Sequence, residues 1–319
     1  MVYAYGPTSL DILRAHGRLL PDLLASPRAR TLKDPSLLAP NLLAELMARA
    51  GAKTPPFHVM TENKNNPWRD RKDIVVHSRT APLPYRSLIP VNKELTIASP
   101  ELAFIQLAAM DFYDEIDLAR IAYELCGTYV LDVSWDGFTN TEAPITNKGK
   151  MLRMIERESR TRGAAKAKRA LECIYEKSNS PMESDLALLF AAPRRIGGFD
   201  LGPIAMNYKV KTKDGAKYVD LFFLERNVGL EYKGKDSHSI EKTQRDDRRQ
   251  NRLVAEGVTI INVWYDDLVN DWLFDKLARD VFATLDARLR CRSKQFQTQQ
   301  KLLRAKLLPS IQKFGSFEP

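Results

Sequence analysis

The sequence predicts an α/β protein in two parts: a mixed sheet flanked by helices in the C-terminal part, preceded by a mostly helical α+β part. Three observations carry this expectation. The chain has 319 residues, and a domain usually takes roughly 100–200, so two units are expected. It is 44% hydrophobic and 28% charged, the balance of an ordinary folded protein with enough apolar side chains for sizeable cores. From Ser180 onward the apolar pattern switches between helical and strand spacing in the order α-β-β-β-α-β-α, which describes a sheet covered by helices.

The elements follow in chain order. Leu, Ala and Pro dominate the first 65 or so residues, with helical stretches at 9–16 and 41–50 between Pro-containing breaks. Residues 63–67, Asn-Lys-Asn-Asn-Pro, read as a loop, and 74–78 as a strand. Ser99 is the expected N-cap of a helix with Pro100 in its first position, and 117–125 continue as a second helix. Gly, Asn, Thr and Pro gather at 139–146, which marks a boundary. In the second part 180–190 read as helix, and 207–210, 217–224 and 228–233 as strands joined by turns at 213–215 and 225–227. A polar helix over 239–256 stops at Gly257, a β-branched run at 258–264 is expected to be buried on both faces, and a helix over 266–290 closes the unit. The divisions expected are 1–145, a basic helical connector at 146–178, the sheet domain at 179–290 and a basic tail at 291–319.

The net charge is +9 and the pI near 9.3, which favours a polyanionic partner. The excess is local. Residues 147–169 hold nine basic and two acidic side chains, and 288–306 hold seven basic and no acidic ones. Each stretch is therefore +7, and the remainder of the chain is −5. Both stretches have helical spacing, so their charged faces either track a phosphate backbone or serve as solvated surface. Arg153, Arg157 and Arg160 are the candidates for DNA contact in the first. Three cysteines, Cys126, Cys173 and Cys291, form no C-x-x-C pair, so a reducing compartment is expected and zinc knuckles and disulfide frameworks are excluded. No apolar run reaches the length of a membrane span and the first residues lack a signal-peptide pattern, giving a cytoplasmic expectation with no membrane partner.

The chemistry concentrates in the hairpin. Asp220 is followed eleven residues later by Glu231, then by Tyr232 and Lys233. A turn centred on Arg226 and Asn227 would set Phe222 opposite Glu231 and Asp220 opposite Lys233. Asp220, Glu231 and Lys233 would then share a face, the two carboxylates being diagonal neighbours at roughly 7–8 Å; a slip of one residue would break the arrangement. Two carboxylates suit a hard cation that polarises a phosphodiester, and an ammonium beside them can orient water or stabilise developing charge. Charges on a wet hairpin face are the bland alternative, but the flanking Val219, Leu221, Phe222, Phe223, Val228 and Leu230 argue for interior strands, where charge is costly.

Taken together, Glu183, Asp220, Glu231-x-Lys233, Gly234, His238, Gln244-Arg245-Asp246-Asp247-Arg248, Gly257 and the strand into Trp264 resemble the PD-(D/E)XK nuclease superfamily. Within it, residues 180–290 are similar to the very-short-patch repair endonuclease branch. The resemblance implies a restriction-endonuclease-like fold, Asp220, Glu231 and the carbonyl of Tyr232 as ligands of Mg²⁺ or Mn²⁺, and Lys233 near the attacking water. Val219 stands where the superfamily's name has proline. The extra zinc-binding residues of the repair enzymes are absent, so mismatch specificity is not carried over. Glu183 either closes a capping box begun by Ser180 or completes the metal shell. His238 either contacts a phosphate or shuttles a proton, or is a loop side chain. Gln244 and Arg248 lie one turn apart on a helix with few apolar positions, with Asp246 or Arg245 in support, while Arg249 and Asp247 fit either that role or a solvent-facing helix laced with ion pairs.

The N-terminal half, through 74–79, 97–103 and 121–125, looks like the antitoxin-type regulators of abortive-infection systems, which take part in toxin–antitoxin pairs and phage defence. The winged helix with which those regulators usually begin is not evident, so no DNA-reading residue is transferred, and His77 reads as structural. The expected function is a metal-dependent endonuclease acting on DNA. The alternative is a DNA-binding regulator whose nuclease fold binds without cutting. DNA is the expected partner, and a homodimer is compatible with the sequence.

Overall fold

The computed structural model describes the chain except residues 30–31, 33–37, 63–67, 69–70, 80, 133–136, 234–239, 289–292 and 316–319, and except the side chains of Arg18, 240–247 and 309–315. It is a mixed α/β protein of two compact units, Met1–Leu171 and Glu172–Pro319. Among the described residues no helix is long and apolar enough to cross a membrane.

The first unit runs β1 (Val2–Tyr3), α1 (Gly6–His16), α2 (Leu20–Ala25), α3 (Pro40–Arg49), β2 (Phe57–Thr61), β3 (Ile74–Ser78), β4 (Leu88–Pro90), β5 (Leu95–Ala98), α4 (Pro100–Ala108), α5 (Glu115–Cys126), β6 (Tyr129–Leu131), β7 (Phe138–Asn140), α6 (Lys148–Arg157) and α7 (Ala164–Glu172). Its strands form a three-stranded sheet β1-β5-β4 and the pairs β2-β3 and β6-β7. The central helix α4 is buried along its whole length. Ser99 caps it as expected, its Oγ accepting the Leu102 amide at 3.3 Å. Helix α5 starts two residues earlier than its apolar stripe suggests, because Asp114 caps it and Asp117 bonds back to the Asp114 amide. His77 is packed rather than poised: its ring stacks on Tyr5 and its Nε2 lies 2.9 Å from Nδ1 of His58. Burial, then the neighbouring His58, push its pKa down to about 4.

The expected connector at 146–178 is not a separate piece. Helix α6 buries Met151, Met154 and Ile155 and packs against α4, so the basic stretch is one wall of the first unit.

The second unit runs α8 (Pro181–Ala191), β8 (Ile204–Thr212), β9 (Gly215–Phe223), β10 (Val228–Lys233), α9 (Ile240–Ala255), β11 (Thr259–Trp264), α10 (Tyr265–Val269), α11 (Asp271–Thr284) and α12 (Lys294–Gly315). One sheet has the order β11-β10-β9-β8. Strands β8, β9 and β10 are antiparallel neighbours, and β11 joins β10 in parallel after α9, since parallel neighbours need a crossover. Two expectations are corrected here. The run at 258–264 is an edge strand, not one buried on both faces: Thr259 is exposed and Trp264 is 43% exposed. The closing helix is two helices, because the Asn270 side chain accepts the amides of Trp272 and Leu273 and starts α11 afresh.

The C-terminal basic stretch is likewise built in. Helix α12 buries Gln300, Leu303, Arg304 and Leu307 and packs on α8 and α10. Arg304 is 5% exposed; its guanidinium lies 4.3 Å over the Phe274 ring, donates to the Leu268 carbonyl and pairs with Asp271 at 2.7 Å. Gly197, at φ +98, touches the α12 backbone so closely that a Cβ would strike the carbonyl of Gln299. Part of the apparent polyanion-binding charge is thus a clamp for a helix. Replacing Leu303, which is fully buried, by Ala should destabilise the protein by about 2–4 kcal/mol in urea unfolding. A detached tail would leave the unfolding midpoint unchanged.

Candidate active site

The hairpin register differs from the sequence expectation by two residues. Val228 pairs with Phe223, Gly229 with Phe222 and Leu230 with Leu221, because the turn occupies residues 224–227 instead of centring on Arg226 and Asn227. The paired residues end at Leu230 and Leu221; continuing that register one step would bring Glu231 level with Asp220 instead of Phe222, and the Glu231 charge does raise the Asp220 pKa. A shift of two keeps the parity of the strand, which is why the two carboxylates still meet.

The site is a row across the whole sheet. Glu231 of β10 pairs with Asn262 of β11, and Asn207 of β8 falls between the Met206–Leu221 and Tyr208–Val219 pairs, level with Asp220. Asn207 and Asn262 went unnoticed in the sequence, where nothing marks them but their strand positions. The row is locally irregular. Asn207 has φ +46, and Val219 and Phe222, which strict alternation places on opposite faces, pack into one cluster with Val210, Leu253 and Val258. At that irregularity the Asp220 side chain turns into the ladder, and its Oδ2 accepts the Tyr232 amide at 3.0 Å. Gly229 lets β10 lie flush, since a Cβ there would strike Val219 and Ile260.

Of the two roles open to Glu183, the structure shows the capping one, in altered form. Its amide donates to Ser180 Oγ at 3.2 Å, so Ser180 caps α8, while its carboxylate accepts from the amide of Asn179 at 2.8 Å and from Asn207 Nδ2 at 2.6 Å. The capping contact therefore runs to Asn179, one residue before the cap, which leaves the carboxylate close enough to Asp220 to feel its charge. Burial first, and the Asp220 charge second, push Glu183 up to about 7. Burial first, and the Glu231 charge second, push Asp220 up to about 6.

Glu231 is 4% exposed and is neutralised from two sides. Lys233 Nζ lies 3.1 Å from its Oε2. Arg249 of α9 donates Nη1 to Oε2 at 2.8 Å and bonds the Tyr218 carbonyl through Nη2. Nη2 stands 2.8 Å from Oε1 without the alignment to donate to it, so Oε1 is a buried acceptor with no directed hydrogen bond. The arginine that reaches the carboxylates is thus Arg249, for which the sequence left a site role and a solvent-facing ion pair equally open, whereas Arg248 is exposed. The reason is rotational: Leu253, one turn after Arg249, is the apolar anchor of α9 and is fully buried, and the face it fixes points Arg249 inward. His238 lies outside the described residues, as do the side chains of Gln244 and Arg245. In the first unit Arg153, Arg157 and Arg160 are exposed.

Among the described residues no group of three or more His, Cys, Asp or Glu side chains stands ready to hold a metal as arranged. The chemistry of the row nevertheless fits a hard cation: Glu183 and Asp220 with elevated pKa values, and the buried acceptors Glu231 Oε1 and Asn262 Oδ1 without a hydrogen bond, are oxygen ligands of the kind such an ion takes. No family model matches the chain, and neither a curated protein nor a solved structure matches it.

The carboxylates make a stability prediction whose sign is fixed. Asp220 has its folded pKa raised from 3.8 to about 6, so its contribution is fully present below the unfolded value and is lost as pH rises through the folded one. Asp220→Asn, whose Oδ1 can still accept the Tyr232 amide, removes that loss. In metal-free buffer its melting temperature should match wild type near pH 4 and exceed it increasingly from pH 5 to 7.5. A constant difference across that range would show that Asp220 titrates as an ordinary surface acid.

Proposed function

We propose that the second unit is a metal-dependent endonuclease of the PD-(D/E)XK type, with a restriction-endonuclease-like sheet, hydrolysing phosphodiester bonds of DNA. The observation that carries this reading is Asp220 bonded to the amide of Tyr232, the residue next to Glu231, with Lys233 in contact with Glu231. Asp220, Glu231 and the Tyr232 carbonyl would hold Mg²⁺ or Mn²⁺, with Glu183 behind them. When bound, such an ion polarises the phosphate and lowers the pKa of its water. The chain's own residues do the rest. Asn207 and the Asn179 amide hold Glu183 in place, and the Tyr232 amide fixes Asp220. Lys233 supplies the ammonium that orients the attacking water or stabilises charge developing on the phosphate. Gln244 and His238 are proposed to assist at the reacting phosphate, His238 by proton transfer to the leaving group. Arg245, Arg248, Arg153, Arg157 and Arg160 are proposed DNA contacts.

One observation favours a second reading, in which the unit binds DNA as a regulator without cutting. Arg249 already occupies Glu231 as a close ion pair, and a site so neutralised has less need of a cation. The two readings separate experimentally. With Mg²⁺ or Mn²⁺ the wild type should nick or cut DNA, and Glu231→Ala and Lys233→Ala should each abolish cleavage while leaving the circular dichroism spectrum unchanged. Cleavage surviving in both variants would remove the site from the chemistry.

Arg249→Ala tests the ion pair directly. If Arg249 competes with the cation for Glu231, the variant should bind Mn²⁺ several-fold more tightly by calorimetry, whatever its cleavage rate. Unchanged affinity means that Arg249 neutralises Glu231 without standing in the cation's place.

A further inference from the structure

The basic stretch of the first unit divides into two groups. Arg162 pairs with Asp111 at 2.5 Å, Arg169 pairs with Glu115 at 3.4 Å, and Lys166 donates to the carbonyls of Met110 and Tyr113, both at 2.8 Å. These side chains hold the unit together. The side chains of Lys150, Arg153 and Arg157 make no hydrogen bond or ion pair with any described residue, and they repeat on one face of α6 at three- and four-residue spacing. Like charges so placed on a helix repel one another.

They do not simply face solvent. Together with Arg28, Tyr85, Arg86 and Glu101 they line an open cavity of about 210 Å³. Five cations from three distant segments of the chain therefore converge around one acid. Glu101, at 4% exposure, already accepts Thr146 Oγ1 at 2.6 Å and lies 3.5 Å from Arg28 Nη1. Arg28 keeps a buried Nε with no hydrogen-bond partner. Arg86 is held at φ +64, a region that non-glycine residues rarely occupy and that clusters at binding sites. Solubility alone would spread such charge, whereas this arrangement gathers a net four positive charges in one concavity beside an exposed tyrosine.

We infer that this cavity is a nucleotide-binding site, its arginines and Lys150 taking a phosphate group and Tyr85, 65% exposed, offering a ring on which the base stacks. Guanidinium forks match phosphate oxygens in pairs, and a singly charged carboxylate would leave most of the cluster uncompensated. An aromatic ring beside a basic groove is the arrangement that receives an unstacked base without reading its identity. The nucleotide is either free or one unit of a single strand. The site lies wholly within the first unit; Arg153 and Arg157 are also among the proposed DNA contacts, but AMP binding needs no cleavage by the second unit, so the two readings fail separately.

The experiment uses the full chain, with inorganic phosphate, AMP and a fluorescein-labelled single strand of about 12 nucleotides as probes, by calorimetry and anisotropy at low salt. The double variant Arg153→Ala/Arg157→Ala should weaken AMP or strand binding by about tenfold or more and flatten its salt dependence. Tyr85→Ala should weaken AMP and the strand but not inorganic phosphate. Lys168→Ala, an exposed cation of the same stretch outside the cavity, should stay within about twofold of wild type. Displacement of the strand by AMP identifies a strand unit as the occupant, and AMP binding without strand binding identifies a free nucleotide; either upholds the site. Wild-type affinity in the double variant, an equal loss in Lys168→Ala, or no binding of any probe to wild type overturns it.

Discussion

The second unit depends on a single electrostatic constraint: Glu183, Asp220 and Glu231 feel one another's charge at a sheet that is otherwise apolar. Burying charge costs free energy unless it is paired or hydrogen-bonded, and the surrounding structure reads as compensation. Asn207 leaves regular strand geometry to donate to Glu183, and the Tyr232 amide is given to Asp220. Lys233 and Arg249 close on Glu231. Even so, two carboxylates keep elevated pKa values, so the compensation is incomplete. A site left short of positive charge in this way is prepared for a cation, or for the basic side chains that now stand in its place.

Among the described basic residues, three uses stand out besides the pairing of Glu231. Arg304 is a packing element, lying on an aromatic ring and satisfying a carbonyl inside the second unit. Arg162, Lys166 and Arg169 fasten helices within the first. Lys150, Arg153, Arg157 and Arg28 border a cavity. Net charge and its placement along the chain do not distinguish these uses. What distinguishes them is whether the group at the end of each flexible side chain finds an oxygen within reach, which depends on segments far away in sequence.

Much of the fold was legible because local physics writes it into the chain. Ser99-Pro100 and Ser180-Pro181 start helices wherever they occur, since the serine oxygen satisfies a free amide and proline needs none. The strands of the hairpin and the polar helix after it appear close to where their periodicity put them. The site was half legible: Asp220, Glu231 and Lys233 come together, while Asn207 and Asn262 could not be found and Arg249 could not be singled out, because nothing in their neighbours' spacing sets them apart. The register was misjudged by two residues because turn length, not strand pattern, sets it. The burial of 258–264 was overestimated because hydrophobicity shows that a strand is covered without showing on how many sides it has neighbours.

The sequence by itself determined most elements of the second unit, the capped helices of the first, the acidic pair with its lysine and the local excess of positive charge, all of which follow from spacings of a few residues. Tertiary structure alone decided that Asp220 bonds the Tyr232 amide beside Glu231, that Arg249 and not Arg248 turns inward, that the C-terminal stretch is a packed helix, and which basic residues remain unpaired. These are outcomes of long-range pairing. A strand's register, a helix's rotation and a side chain's partner are fixed by the packing of segments that the chain brings together only when it folds.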